Sequence, residues 1–268
     1  MTESQNIQRL LAIMSKLRNP DGGCAWDQAQ TYQSLVPFTL EEAYEVADAI
    51  ERLALEELPD ELGDLLYQVV FYCQLGKEQG LFDFAVVTER ICNKLIRRHP
   101  HVFAETLAAS SADSAKLQWE QIKGLEREKK ALHSQLDDIP KVLPALKRAQ
   151  KIQQRVAVVG FDWPELAPVI DKIHEEIAEV LAEVNAQKVE QAKVQDEVGD
   201  LLFAVVNLAR HLNIDPELAL QGANTKFERR FRLVEQQVQQ TERSIEQHSL
   251  DELEQYWQQA KRQLSSQQ

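Results

Sequence analysis

One acidic pattern occurs twice in this chain, and it constrains the fold more than any other feature. The pattern is Glu-Glu-x-x-Glu followed, after a gap, by Glu-x-x-Asp; its first copy begins at Glu41 and its second at Glu175. Both copies lie in segments of helical periodicity, where carboxylates three or four residues apart share one helix face. Two such helices packed side by side would bring four carboxylates together, and a bound cation would relieve their mutual repulsion.

The similarity between the two halves extends beyond the acids. Aligning the two patterns also aligns three other pairs of segments, namely ELGDLLYQVVF with EVGDLLFAVVN, KLIRR with KFERR, and WEQIK with WQQAK. Trp26-Asp27 precedes the first copy and Asp162-Trp163 precedes the second. The spacing between the copies drifts by only a few residues, which indicates a tandem duplication of one fold.

The region between the copies contains a charged run and two prolines, Pro140 and Pro144. Proline disfavours helix at the residue before it, so a bend is expected there. We therefore expect a first domain at 1–124, a linker at 125–150 and a second domain at 151–268.

Composition favours an all-α fold, since only 9 Gly and 9 Pro occur among 268 residues and 44% of residues are apolar. Helical periodicity predicts four helices in each unit, at about 39–54, 56–79, 83–98 and 114–130, and at about 166–186, 190–212, 216–240 and 250–263. The apolar residues 201, 202, 205, 206 and 208 are interpreted as core beside the acids. A four-helix-type unit of this size often completes its core with a second copy, so a homodimer is expected.

The net charge of −13 argues against general nucleic-acid binding, because no basic excess is available to neutralise a phosphate backbone. A single nucleotide is compatible with it. The three cysteines, Cys24, Cys73 and Cys92, show no Cys-x-x-Cys spacing and are interpreted as reduced thiols of a cytoplasmic protein. No apolar run approaches the roughly 18 residues of a membrane span, so no membrane partner is expected.

Four carboxylates of the second copy are the candidate metal site: Glu176, Glu179, Glu197 and Asp200. The first copy offers a second, weaker site at Glu42, Glu45, Glu61 and Asp64. An oxygen-only ligand set favours Mg²⁺, with Mn²⁺ as the alternative ion. A di-iron bundle requires Glu-x-x-His, which neither copy contains. A single Glu-x-x-Glu is most often a solvated helix face, but its recurrence in fixed order favours a functional site.

Other residues near the pattern suit a phosphorylated substrate. Glu175 is a candidate general base for an attacking water, with Glu176 or Glu179 as alternatives. Lys226 and Arg230 lie four residues apart and could grip phosphate oxygens, or could instead form surface ion pairs. Trp257 could stack on a nucleobase, or could pack in the core or at a dimer interface.

The acidic pattern, the duplication and two further segments, SQLDDIPKVLPALKRAQKIQQRVAVVGFDW and RRHPHVF, closely resemble the MazG family of all-α nucleoside triphosphate pyrophosphatases. The resemblance implies a Mg²⁺-dependent reaction, NTP + H₂O → NMP + pyrophosphate, with broad base preference in a homodimer. It also implies that the four second-copy carboxylates bind the metal and that five residues contact the nucleotide: Lys172, Lys193, Lys226, Arg230 and Trp257.

The alignment also predicts which half is active. Phe38 and Glu57 occupy the first-copy positions that correspond to Lys172 and Lys193, so the first copy lacks two cations beside its acids. We therefore expect the second half to carry most of the hydrolysis. Two alternatives remain open at this stage: a narrow dUTPase-like or phosphoribosyl-ATP pyrophosphohydrolase, and a non-catalytic acidic helical module that binds partner proteins.

Overall fold

The structure is a computed structural model that describes residues 2–103, 119, 122, 124, 126, 134–241 and 243–265. The described residues form helices and connecting turns and contain no strand, so the all-α prediction is confirmed. Contacts between Cα atoms divide the chain into two compact units, residues 1–129 and 130–268. The narrower boundaries expected above, with a linker at 125–150, remain a prediction. No described helix is both long and apolar enough to cross a membrane.

The described part of the first unit is built around a pair of long helices. Helix α3 packs on α4, and α1 and α5 pack on α4 as well. The helices are α1 (Glu3–Leu17), α2 (Ala25–Ala29), α3 (Tyr32–Glu51), α4 (Leu58–Glu78), α5 (Phe84–Arg98) and the short α6 (Pro100–Phe103).

The second unit repeats this arrangement. Its long pair is α8 and α9, while α7 packs on both α9 and α10, and α11 packs on α10. The helices are α7 (Ala145–Ala157), α8 (Leu166–Val184), α9 (Gln191–His211), α10 (Pro216–Gln239) and α11 (Leu250–Ser265), with a 3₁₀ turn at Ile245–Gln247.

A matching turn in each unit supports the duplication at the level of the backbone. Gly80 follows α4 with φ +68° and Asn213 follows α9 with φ +56°. In both turns the next residue donates its N–H to a carbonyl five residues earlier, Leu81 to Gly76 and Ile214 to Ala209. Many helices end in this way, with a residue in the left-handed conformation followed by a residue whose N–H bonds to a carbonyl five residues earlier. Gly and Asn tolerate the left-handed conformation best.

The first unit has a core of large apolar side chains. Phe71 and Met14 are fully buried, and they pack with Leu35, Val70 and Leu75. These five residues come from α1, α3 and α4, so their burial holds the long pair of helices against α1.

Two expectations from the sequence need correction. Helix α3 begins at Tyr32, well before the expected start at 39, because a capping box between Thr31 and Ser34 starts the helix there and Pro37 is accommodated within it. In the second unit only Val206 of the expected apolar stripe is fully buried, whereas Leu202 and Val205 are 53% and 45% exposed.

The remaining helix predictions agree with the structure to within a few residues, and those of the second unit agree to within two. The helix expected at 114–130 falls mostly outside the described residues. Trp119, Ile122, Gly124 and Glu126 are described and are helical.

Two glycines of α4 provide a matched test of packing. A Cβ at Gly76 would meet the backbone oxygen and the ring of Phe82 at 2.7 Å, whereas a Cβ at Gly63 meets nothing within 4 Å. We expect Gly76→Ala to lower the free energy of unfolding by about 1–3 kcal/mol through overpacking. Gly63→Ala should raise it by up to about 1 kcal/mol, because Ala is the better helix former.

Urea unfolding followed by circular dichroism measures both variants. A Gly76→Ala variant as stable as the wild type would contradict the close packing of α4 on Phe82.

Candidate functional site

Three acidic side chains of the second unit converge between α8 and α9. Glu176 and Glu179 lie on α8 and Glu197 on α9, and each offers a carboxylate oxygen within 4.8 Å of the others. Glu176 is only 4% exposed. Asp200, which was expected to complete the group, lies one turn after Glu197 and faces the neighbouring cavity.

The crowding of these carboxylates is reflected in their protonation. Burial, the negative charge of Glu176 and a hydrogen bond with Glu176 raise the pKa of Glu179 above its ordinary value. Burial and the charges of Asp200 and Glu176 raise the pKa of Glu197 in the same way. Nearby like charges disfavour the ionised form, so a cation that bound these oxygens would lower the free energy of the ionised cluster. Oxygen donors suit a hard ion such as Mg²⁺.

Lys172 lies one turn before Glu176 and partly neutralises the cluster. Its Nζ lies 2.7 Å from Glu175 Oε1 and 2.8 Å from Glu176 Oε1. These contacts raise the pKa of Lys172, so the ammonium stays charged. Of the two cations expected beside these acids, Lys172 and Lys193, the structure places Lys172 in contact with Glu175 and Glu176.

A cavity of about 670 Å³ opens beside the carboxylates. Lys172, Glu176 and Asp200 line this cavity together with the aromatic side chains of Phe161, Trp163 and Phe203. Its polar lining also includes Gln153, Asp162, Asn207 and Arg210. A concave site of this size, mostly apolar and with a few polar groups, is typical of a small-molecule pocket.

Gln153 is the most informative polar group of the cavity wall. It is 5% exposed, and its Nε2 donates to the carbonyl of Phe203 at 2.8 Å. Its Oε1 is buried and has no hydrogen-bond partner among the described residues. A buried acceptor without a partner is costly, so a ligand that donates a hydrogen bond would satisfy it.

An ion-pair network fixes the loop that carries Phe161 and Trp163. Arg210 Nη2 donates to Asp162 Oδ1 at 2.5 Å, and His211 Nε2 lies 3.1 Å from the same oxygen. Burial alone would raise the pKa of Asp162, but the bonds from Arg210 and His211 outweigh it and lower that pKa. The network therefore holds the aromatic loop against α9.

The remaining nucleotide contacts expected from the sequence lie on other helices. Lys193, at the start of α9, is exposed and pairs with Glu190 at 3.4 Å. Lys226 and Arg230 lie on α10 and Trp257 on α11. Trp257 packs against a core cluster and against Phe227, with ring centroids 5.0 Å apart, which agrees with the packing alternative. A stacking role for Trp257 remains a prediction.

The first unit repeats the acidic cluster but surrounds it differently. Glu42, Glu45 and Glu61 also offer oxygens within 4.8 Å of one another. Burial and the neighbouring carboxylates raise the pKa values of Glu42 and Glu61. Asp64 is not in this group of three, although its charge contributes to both shifts.

At the position where the second unit has the cation Lys172, the first unit has the apolar side chain of Phe38. Phe38, which corresponds to Lys172, packs against the core of the unit and lies edge-on to Trp26 with centroids 5.6 Å apart. Glu57, which corresponds to Lys193, forms a 2.6 Å ion pair with Arg52 that lowers its pKa. Arg52 therefore pairs with the extra anion expected beside the first cluster, although the charge of Glu57 still contributes to the raised pKa of Glu61.

Sequence reasoning missed the polar wall of the cavity. The sequence analysis gave no role to Gln153, and it placed Asn207 and Arg210 only within the helix predicted at about 190–212. Their position three and six residues after Ala204 on α9, the helix that carries the acids, is the one signal that could have identified Asn207 and Arg210.

Comparison with known proteins identifies both halves. A profile of the MazG nucleotide pyrophosphohydrolase domain matches residues 30–103 and 166–234. The nucleoside triphosphate pyrophosphohydrolase of Escherichia coli K12 is 56% identical over 257 residues, which are 96% of this chain and 97% of that protein. The nucleoside triphosphate pyrophosphohydrolase/pyrophosphatase MazG of Thermotoga maritima is 41% identical over 255 residues, or 95% of each chain. The chain therefore belongs to the MazG nucleotide pyrophosphohydrolase family.

Proposed function

We propose that this protein is a Mg²⁺-dependent nucleoside triphosphate pyrophosphohydrolase of broad base preference, with its main activity in the second unit. The observation that carries the proposal is the convergence of Glu176, Glu179 and Glu197 beside a cavity of about 670 Å³. Relatives over nearly the full length that are named nucleoside triphosphate pyrophosphohydrolases support the same reaction.

The proposed metal site consists of the three converging carboxylates and Asp200. Their oxygen-only chemistry fits Mg²⁺, and Mn²⁺ is the alternative ion. A divalent ion held there would neutralise negative charge on the phosphate oxygens of the substrate. Glu42, Glu45, Glu61 and Asp64 form the proposed weaker site of the first unit.

The reaction is the attack of water on the α-phosphorus. A new P–O bond forms, the bond from the α-phosphorus to the bridging oxygen breaks, and pyrophosphate leaves. Glu175 is the proposed acceptor of the water proton, since Lys172 Nζ contacts both its carboxylate, at 2.7 Å, and that of Glu176, at 2.8 Å. Lys172 is proposed to turn from Glu176 to the phosphates, since a cation bound at Glu176 would replace its charge.

The cavity is the proposed site of the nucleoside. Its aromatic wall suits the flat face of a base, and the unpartnered Gln153 Oε1 suits a base N–H or a sugar hydroxyl. A single buried acceptor does not demand one particular base, which agrees with broad preference. Lys193, Lys226, Arg230 and Trp257 are proposed to contact the phosphates and the remaining parts of the nucleotide.

Differences in charge favour the second unit as the main active one. Lys172 stands beside the second cluster, whereas Phe38 is packed into the core beside the first. A triphosphate carries about four negative charges near neutral pH, and each charge-assisted hydrogen bond to it contributes about 1.5–3 kcal/mol. The first unit therefore binds a triphosphate less tightly.

A homodimer is also proposed. Helices α8 and α9 leave an outward stripe of apolar side chains exposed, including Leu181 at 53% and Leu202 at 53%. Contiguous apolar surface of this kind is characteristic of an interface. Sedimentation equilibrium tests the proposal with Leu202→Asp, which should give a monomer where the wild type is a dimer; a wild-type monomer would contradict it.

The three free thiols agree with a cytoplasmic location.

A matched pair of variants tests the metal site and the working unit together. We expect Glu179→Gln to lower kcat/KM for nucleoside triphosphates by more than about 100-fold, because outer-shell changes alone cost metal sites 10–100-fold. Glu45→Gln, the equivalent change in the first unit, should leave kcat/KM within about threefold. The assay is Mg²⁺-dependent hydrolysis with separation of monophosphate and pyrophosphate from diphosphate and phosphate.

Equal losses in the two variants would mean that both units share the hydrolysis. A diphosphate product would contradict the proposed attack on the α-phosphorus. As a control, circular dichroism should show that both variants keep the fold of the wild type.

A second variant tests the nucleoside site. Ala204 is 8% exposed and lines the cavity, so Ala204→Leu would fill part of it. We expect KM for nucleoside triphosphates to rise by about tenfold, the equivalent of about 1.4 kcal/mol. Inhibition by inorganic pyrophosphate, which has no nucleoside, should keep its inhibition constant. An unchanged KM in a folded variant would move the nucleoside out of this cavity.

A further inference from the structure

Both units contain the same pairing of an arginine with a tryptophan. The guanidinium carbon of Arg98 lies 5.2 Å from the ring centroid of Trp119, and that of Arg230 lies 5.8 Å from the centroid of Trp257. Each arginine ends an aligned basic segment, KLIRR or KFERR. The structure thus builds an equivalent cationic position in each unit.

In the first unit a carboxylate of the chain occupies that position. Glu126 accepts hydrogen bonds from Arg98 Nη2 at 2.5 Å, from Arg98 Nε at 3.2 Å and from Arg97 Nε at 2.7 Å. Two arginines therefore bind one carboxylate, and the side chains of Glu126 and Arg98 are only 20% and 18% exposed. Hydrogen bonds from Arg98 lower the pKa of Glu126 to about 2, so the side chain is an anion at neutral pH.

In the second unit an apolar residue takes the place of Glu126 in the sequence. The residue seven positions after Trp257 is Leu264, just as Glu126 is seven positions after Trp119. Arg230 Nε is buried and has no hydrogen-bond partner among the described residues. A donor that the first unit satisfies internally is thus left open in the second, and a buried guanidinium N–H needs an anionic partner.

We propose that Glu126 is a built-in anion that fills the phosphate subsite of the first unit, and that neutralising or removing it opens this subsite to a phosphate or pyrophosphate group. The inference rests on the proposed function in one respect, namely that Arg230 contacts a substrate phosphate in the second unit. A carboxylate and a phosphate present similar pairs of oxygens to a guanidinium, and both bind it through charge-assisted bonds.

The consequence is a difference in nucleotide binding that does not depend on the acidic clusters. Both units keep three converging carboxylates, so the presence of an acidic cluster alone does not distinguish them. Glu126 adds a negative charge where a triphosphate would need a positive one, and it holds Arg97 and Arg98 away from any ligand. The first unit is thereby kept free of substrate even where a metal is bound.

The test counts nucleotide sites on the full-length chain. The probe is the non-hydrolysable α,β-methylene-ATP with Mg²⁺, and calorimetry measures the number bound per chain. We expect one equivalent for the wild type and a second equivalent for Glu126→Leu, which reproduces the residue of the second unit. In Glu126→Leu the first unit should bind the probe at least about tenfold more tightly than the first unit of the wild type does. This is the effect expected when one competing charge-assisted contact is removed.

Three further variants separate the possible outcomes. Arg98→Ala combined with Glu126→Leu should remove the second equivalent, which assigns it to the first unit. Glu126→Gln keeps the size and one acceptor oxygen but loses the charge, so it should also admit the second equivalent and serves if Glu126→Leu does not fold. Arg230→Ala should weaken the single equivalent of the wild type.

The two proposals fail in different ways. If folded Glu126→Gln and Glu126→Leu both bind the same single equivalent as the wild type, Glu126 only anchors its helix to α5 and the inference is overturned. If the wild type binds no probe, or binds it equally well after Arg230→Ala, the proposed phosphate contact in the second unit is wrong.

Discussion

The proposed function depends on three carboxylates of the second unit, Glu176, Glu179 and Glu197. Two packed helices, α8 and α9, bring their oxygens within 4.8 Å of one another. Burial of Glu176 and the charges around Glu179 and Glu197 make this arrangement unfavourable without a compensating cation. In the second unit the ammonium of Lys172 provides part of that compensation from within the chain. The α8–α9 pair thus combines a stable apolar contact with a local excess of negative charge, which favours binding of a divalent ion.

The two units of this duplicated fold differ at a few positions beside their acidic clusters, and these differences underlie the different roles that we propose for them. Lys172 in the second unit corresponds to Phe38 in the first, which joins the core. Leu264 corresponds to Glu126, which binds the arginines of its own unit. The first change puts an apolar group where the second unit has a cation, and the second puts an anion where it has an apolar group. Under the proposed function we expect both changes to reduce the affinity of the first unit for a triphosphate. The acidic clusters themselves are retained in both units.

The sequence predicts the elements of this fold well because helical periodicity and caps are local signals. Helices α8 to α11 of the second unit and the pairing of the acids follow from spacing within single segments, whereas α7 was not predicted. The start of α3 was missed because the capping residues around Thr31 outweigh the effect of Pro37. The cavity was missed because Gln153 and Asn207 come from separate segments, and only the packing of α7 on α9 brings them together. The Glu126 contacts to Arg97 and Arg98 link residues far apart in sequence, which no local pattern indicates.

Direct counting of metal ions is the measurement that tests the central claim most simply. Electron paramagnetic resonance with Mn²⁺ as the probe can compare the nucleotide-free wild type with Glu197→Gln, since bound and free Mn²⁺ give different signals. We expect the wild type to bind Mn²⁺ in competition with Mg²⁺, and we expect Glu197→Gln to lose the tightest class of sites. The same number and affinity of Mn²⁺ sites in both proteins would contradict the assignment of a metal centre to the α8–α9 carboxylates.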